Sequence, residues 1–339
     1  MRILIATGIY PPDIGGPAKY AKNLKDQFES FGHTVSVLCY GVEKKLPIIL
    51  RQLYYITRLL RVVRKVDCIL ALDIVSTGFP AVLVGKIFGK KVVTRVGGDY
   101  LWESYINSGG SVVSLKQFNN KKPRLTNKLR IIEHMQSYVL QSSALLVFNT
   151  AWLRDIFSSR YNVDSQGTVI VENFWPKKEL VNKKDFGNKK TFLFVGRESR
   201  VKNVDVLENI FVDIQKTRND IYFERVQCAS PKVVKEKIAK SYAVVLPSIS
   251  DVAPNVVVEA MALNTPCIIT EETGFHKQLE GVVLFVDPFN KEDITQKILL
   301  LADKKNYDHY LDKAKNYSYT HSWERITEEF LAIFETICN

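Results

Sequence analysis

The 339-residue sequence predicts an α/β protein of two doubly wound domains, and three observations carry that expectation. Short apolar runs alternate with helical patterns along the chain, which is the pattern of a parallel sheet covered by helices on both faces. The series occurs twice, the two halves being separated by a polar, lysine-rich run at 177–190. The composition, 46% hydrophobic and 24% charged, excludes a disordered, collagenous or disulfide-stapled chain, and the length suits two cores.

In the first half, strands are expected at 3–6, 34–39, 68–72, 92–95 and 144–148, and helices at 17–31, 46–65, 79–88 and 128–141. Between 104 and 126 no period is sustained. The runs Ser108-Gly109-Gly110-Ser111 and Asn119-Asn120-Lys121-Lys122-Pro123 read there as a long loop, either facing a substrate or making a plain surface excursion. In the second half, strands are expected at 191–195, 221–226, 243–246, 267–270 and 282–286, with helices at 204–216, 232–240 and 256–263 and a helical close. The domains this implies are 1–182 and 183–318, followed by a terminal helix at 319–339.

The net charge of +11 is unevenly placed: residues 1–186 hold 27 Lys+Arg against 14 Asp+Glu, and the remainder is slightly acidic. An anionic partner for the first half is expected, with a phosphorylated substrate, an acidic membrane surface and nucleic acid as the candidates. No nucleic-acid reader motif accompanies the charge, which makes the last of these the weakest. The five cysteines (Cys39, Cys68, Cys228, Cys267, Cys338) form no CxxC pair, as expected in a reducing cytoplasm. The apolar start at 1–7 is too short for a signal peptide, and the run at 68–88 is broken by Asp73, Gly78, Pro80 and Lys86, so no membrane span is expected.

Three constellations carry chemistry. After the first strand, Gly15-Gly16-Pro17 opens a helix whose free N–H groups attract an anion, although neither GxGxxG nor a P-loop is present, which sets aside a dinucleotide oxidoreductase. Gly196-Arg197 ends a strand and Lys202 follows at a helix start; a guanidinium fork and an ammonium suit a diphosphate at the strand ends of an open sheet. The third runs from Pro247 to Met261, with Asp251 in a loop and Glu259 on the helix that begins near Pro254. A carboxylate among apolar residues, as at Glu259, demands a hydrogen-bonding ligand or a buried partner.

In that order these segments resemble the family-four retaining glycosyltransferases (glycosyl transferases group 1) over essentially the whole chain, and Asp251 and Glu259 keep the spacing of that family's two acids. The resemblance implies the GT-B fold, two Rossmann-like domains facing a central cleft, with the terminal helix at Ser322-Trp323-Glu324-Arg325 crossing back to the first domain. It implies a nucleotide-sugar co-substrate, a glycan or lipid-linked acceptor, and neither metal nor cofactor. Gly15, Gly16 and Gly196 then approach the donor, and Arg197 and Lys202 neutralise the departing diphosphate. Asp251 stands where the first acid meets the sugar, Glu259 holds the ribose, and the amides of Val252, Ala253, Pro254, Asn255 and Val256 surround sugar and phosphate, Pro254 by position only since it has no N–H.

Asp99, in Gly97-Gly98-Asp99, falls where many members line the acceptor side, and capping of the next turn is an equal reading. Three departures stand out: Asp251 for glutamate, Asn264 for glycine, and a short second domain. They leave a catalytically idle nucleotide-sugar-binding or partner-binding protein as the competing reading, and an epimerase as a further one. Residues 44–65 form a basic amphipathic helix, which either rests on an anionic membrane, peripherally at its inner face, or packs on the sheet with a solvated basic face.

Overall fold

The computed structural model describes every residue except 14, 180–185, 228 and 339; the expected domain boundary at 182/183 and Cys228 therefore lie outside the described residues. The chain divides into two compact units, the first formed by 1–104, 119–174 and 321–339, the second by 105–118 and 175–320.

The first unit is built on β1 (Arg2–Thr7), α1 (Gly16–Ser30), β2 (Thr34–Cys39), α2 (Ile48–Val62), β3 (Cys68–Ala71), α3 (Phe79–Ile87) and β4 (Lys91–Val96). Then come α4 (Tyr100–Asn107), α5 (Leu115–Lys121), α6 (Asn127–Ser142), β5 (Leu145–Phe148), α7 (Ala151–Tyr161) and β6 (Thr168–Ile170). Its six parallel strands lie in the order β2-β1-β3-β4-β5-β6. Every residue of β3 is buried, as a central strand covered on both faces requires of Cys-Ile-Leu-Ala. The order reverses between β1 and β3, the switch point at which open sheets receive ligands beyond their strand ends. Two of these helices begin at a capping hydroxyl: Thr126 accepts from the Leu129 amide for α6, and Thr150 from the Leu153 amide for α7.

The second unit carries β7 (Lys190–Val195), α8 (Val204–Gln215), β8 (Ile221–Val226), α9 (Pro231–Lys240), β9 (Ala243–Leu246), α10 (Asn255–Ala262) and β10 (Cys267–Thr270). It closes with α11 (His276–Leu279), β11 (Leu284–Val286), α12 (Lys291–Ala302) and α13 (Lys304–Asn316). The five strands are parallel in the order β11-β10-β9-β7-β8, around a core that includes Phe192, Phe194, Val244, Ile268 and Leu301. The last helix, α14 (Trp323–Cys338), belongs to the first unit, where Phe330 and Phe334 meet Phe28 of α1 at ring distances of 6.4 and 6.0 Å.

The stretch at 104–126 is more ordered than a loop: α4 runs to Asn107 and α5 occupies Leu115–Lys121, with Gly109 at φ 96° between them. Both helices are short, and the glycine pair that parts them hides their period. Asn264 adopts φ 53°, the left-handed backbone that glycine otherwise supplies.

Candidate functional site

In the second unit the site grows from the carboxyl ends of β7 and β9. At Gly196 a Cβ would stand 3.0 Å from the Phe194 ring, so a larger residue there would require that ring to shift. A single helical turn, Arg200–Lys202, follows, with Ser199 Oγ accepting from the Val201 amide. Asn203 ends the turn at φ 58°, and its Nδ2 donates to the carbonyls of Pro247 (3.2 Å) and Pro288 (2.8 Å). The Ile249 amide in turn donates to the Val201 carbonyl at 2.8 Å, so the turn after β7 and the loop after β9 are stitched together.

The product of that stitching is an ion pair. Lys202 Nζ lies 2.5 Å from Asp251 Oδ2, with the side chains 28% and 15% exposed, and Ser248 Oγ reaches the same oxygen at 3.5 Å. Asp251 is itself held from the end of β10: its amide donates to the Glu272 carbonyl at 3.0 Å, and it forms a parallel bridge with Thr273. Arg197, one residue after Gly196, is exposed and makes no ion pair or hydrogen bond among the described residues. The sequence thus places two cations at one strand end, and the structure leaves one free and tethers the other to a carboxylate.

The same loop runs through Val252 and Ala253 into α10. Its cap position is Pro254, with no side-chain cap and no acid in the first turn, so the leading amides, those of Asn255 and Val256 among them, are offered to an anion. Glu259, half-buried, follows on this helix. Lys178 supports the far end of α10, donating from Nζ to the Met261 carbonyl at 2.5 Å and to the Ala314 carbonyl. Its desolvated ammonium is pulled down to about 8.

Residues 105–118 fall in the stretch read from the sequence as a long loop, and their contacts could not be read there. They belong to the second unit and pack on the loops just described. Arg200 Nη1 donates to the carbonyls of Ile106 (2.6 Å) and Gly110 (3.3 Å), and the Leu115 amide donates to Ser250 Oγ at 2.9 Å. Glu272 was missed as well; burial raises its carboxyl above the usual range, and its backbone carbonyl holds the Asp251 loop. No local signal in the sequence announces contacts between residues this far apart.

In the first unit, Gly15 takes φ 153° and ψ 160°, a backbone reserved for glycine, and a Cβ would stand 3.3 Å from Ile9 Cδ1. Gly16 begins α1, which also has no side-chain cap and no acid in its first turn. Asp99 is buried and accepts from four donors: the amides of Leu101 (3.0 Å) and Trp102 (3.3 Å), Gln136 Nε2 (3.1 Å) and Asn119 Nδ2 (3.2 Å). Burial raises its carboxyl despite them. These bonds put Asp99 at the cap of α4 and tie that cap to α6.

Among the described residues no three His, Cys, Asp or Glu side chains converge as a metal site would need, and no helix is long and apolar enough to cross a membrane.

Residues 226–317 match the family model described as Glycosyl transferases group 1. The O-antigen chain mannosyltransferase RfbU of Salmonella typhimurium is 28% identical over 163 residues, 40% of this chain and 44% of that relative, so the match spans less than half of its length. Among solved structures, sucrose-phosphate synthase from Thermosynechococcus elongatus aligns at a TM-score of 0.73 with 12% identity, covering 99% of this chain and 98% of that one. The lipopolysaccharide glycosyltransferase WaaG aligns at 0.67 with 13% identity, covering 98% and 99%. HepE of Anabaena, solved with UDP and glucose, also aligns at 0.67 with 13% identity, again covering 98% and 99%. At these identities the structural likeness shows the fold, which is GT-B.

Proposed function

We propose that the chain is a glycosyltransferase of the group 1 family that moves a sugar, with retention, from a nucleoside-diphosphate donor to a glycan or lipid-linked acceptor. The observation that carries this reading is the Lys202–Asp251 pair beside a free Arg197 at one strand end. Breaking the bond from the anomeric carbon to the diphosphate oxygen leaves the electron pair on the diphosphate. Fixed positive charge at that oxygen lowers the barrier most. Arg197 supplies a fork of donors, Lys202 a point charge, and the α10 amides a positive helix end.

Asp251 holds Lys202 in place, and its pairing leaves the sugar contact implied by the family to be made by whatever reach its shorter side chain retains. Glu259 is assigned to the ribose hydroxyls. Asp99, with four donors already on its oxygens, is assigned to shaping the turn after β4 rather than to carrying a proton. No protein nucleophile is invoked: the acceptor oxygen attacks on the face the diphosphate leaves, and its proton passes to the departing phosphate oxygen.

HepE was solved with UDP, which makes uridine the first base to test; the O-antigen relative points to a polysaccharide acceptor. The experiment is a calorimetric screen of UDP-, GDP-, ADP- and dTDP-sugars with and without EDTA, followed by proton NMR of the released sugar. Selective, EDTA-insensitive binding with release of the retained anomer is expected. Binding of every donor without turnover, with any acceptor glycan supplied, would favour the idle protein instead. Epimerised sugar would replace transfer by a non-transferring reaction.

A further inference from the structure

The inner face of α2 is fully engaged. Gln52, Tyr55 and Leu59 are buried, Tyr55 donates to the Leu38 carbonyl at 2.7 Å and Gln52 to the Val75 carbonyl at 2.9 Å. The opposite face is solvent-exposed and apolar: Ile49 (51% exposed), Leu50 (52%), Leu53 (55%), Tyr54 and Leu60. Ile87, at 69%, is a further exposed apolar residue on α3, which packs on α2. An ordinary sheet-packing helix with a solvated basic face would turn these leucines inward, so the structure separates the two readings that the periodicity leaves open.

Cations surround this face. Between 44 and 66 there is no Asp or Glu. Lys44 pairs with Asp13 and Arg58 with Glu43, whereas Lys45, Arg61, Arg64 and Lys65 are exposed and make no ion pair among the described residues. Two copies meeting through this face would bring like charges together, which opposes self-association. A surface that is apolar and anionic at once satisfies both features.

We infer that α2 is a membrane-docking helix, lying in the plane of an anionic bilayer with Ile49, Leu50, Leu53 and Leu60 inserted and Lys45, Arg61, Arg64 and Lys65 at the headgroups. The inference goes beyond sugar transfer and needs no donor to be true. At 15 residues, α2 is about 22 Å long. That suits a helix lying flat.

The test is co-sedimentation of the full chain with vesicles of phosphatidylglycerol and phosphatidylcholine in equal parts, and of phosphatidylcholine alone, at low and high salt. Binding to the anionic vesicles, weakened by salt, is expected. Arg61→Gln/Arg64→Gln should lower the partition coefficient about twenty-five-fold, roughly fivefold per charge. Leu50→Ser/Leu53→Ser should lower it by about tenfold or more. All of these positions are exposed, so melting temperature and UDP affinity should be unchanged, which keeps this test apart from the transferase reading. Equal binding to neutral vesicles, absence of binding at low salt, or variants that bind like the wild type would overturn the inference. So would a wild-type dimer in light scattering that Leu50→Ser/Leu53→Ser abolishes, since a second copy would then occupy the face.

Discussion

The tether between Lys202 and Asp251 makes the most discriminating prediction. The two groups are 2.5 Å apart and only 28% and 15% exposed, so each is partly desolvated and neither is an ordinary surface ion. Removing one partner leaves the other partly buried and unpaired, at a stability cost of about 1–3 kcal/mol. The catalytic cost is larger for the lysine. If its ammonium meets the departing diphosphate, Lys202→Met should lower kcat for donor consumption by about 10²–10³, the scale of one lost oxyanion donor.

Asp251→Asn keeps an acceptor oxygen but loses the charge that fixes the ammonium; a tenfold loss, about 1.4 kcal/mol, is expected. The decisive protein is the double variant. If Asp251 acts by positioning Lys202, Asp251→Asn costs almost nothing further once Lys202 is methionine, giving a coupling of about 1.4 kcal/mol. The assay is nucleoside diphosphate release from the donor that the binding screen selects, run alongside thermal unfolding of all four proteins. Additive losses in kcat would refute the tether and give Asp251 an independent contact with the sugar.

Other predictions follow from single residues. Gly15→Ala must force a glycine-only backbone and press on Ile9, so denaturant unfolding should show a loss of about 1–3 kcal/mol. Asp99→Ala strands four donors, and activity should fall in step with the melting temperature; a drop of a hundredfold at unchanged stability would point to proton transfer instead. Lys178 has a folded pKa of about 8 against 10.5 for the free side chain, so the unfolded state binds the extra proton between those values. Its contribution to stability therefore rises as pH climbs from about 8 to 10.5, and the difference between wild type and Lys178→Met should change by an amount on the order of 1 kcal/mol across that window.

The sheets were legible because buried parallel strands are written as short continuous apolar runs: Cys68–Ala71 and Ala243–Leu246 are buried at every position. Thr168–Ile170 escaped notice because it is a three-residue edge strand with no buried position. Helices α4, α5 and α7 were missed where glycines or mixed polarity blur the period. At the candidate site, residue types and order were readable, but pairings were not. Lys202 and Asp251 were expected to serve the diphosphate and the sugar separately, and the contact that joins them depends on Asn203 and Ile249 stitching two loops. For Asp99 the sequence leaves capping and chemistry open, and its bonds to Asn119 and Gln136, distant in sequence, are visible only in the fold. For α2 the periodicity showed two faces, and only the packed structure shows which of them is covered.

The central claim is that the second unit holds a nucleoside diphosphate through Arg197 and Lys202. The most direct measurement is calorimetric titration of UDP, with GDP as comparison, into wild type and Arg197→Ala/Lys202→Met in EDTA. One nucleotide is expected to bind the wild type, and the double variant, still folded at the temperature of the titration, to lose about a hundredfold or more in affinity. Equal affinity in the two proteins would contradict it.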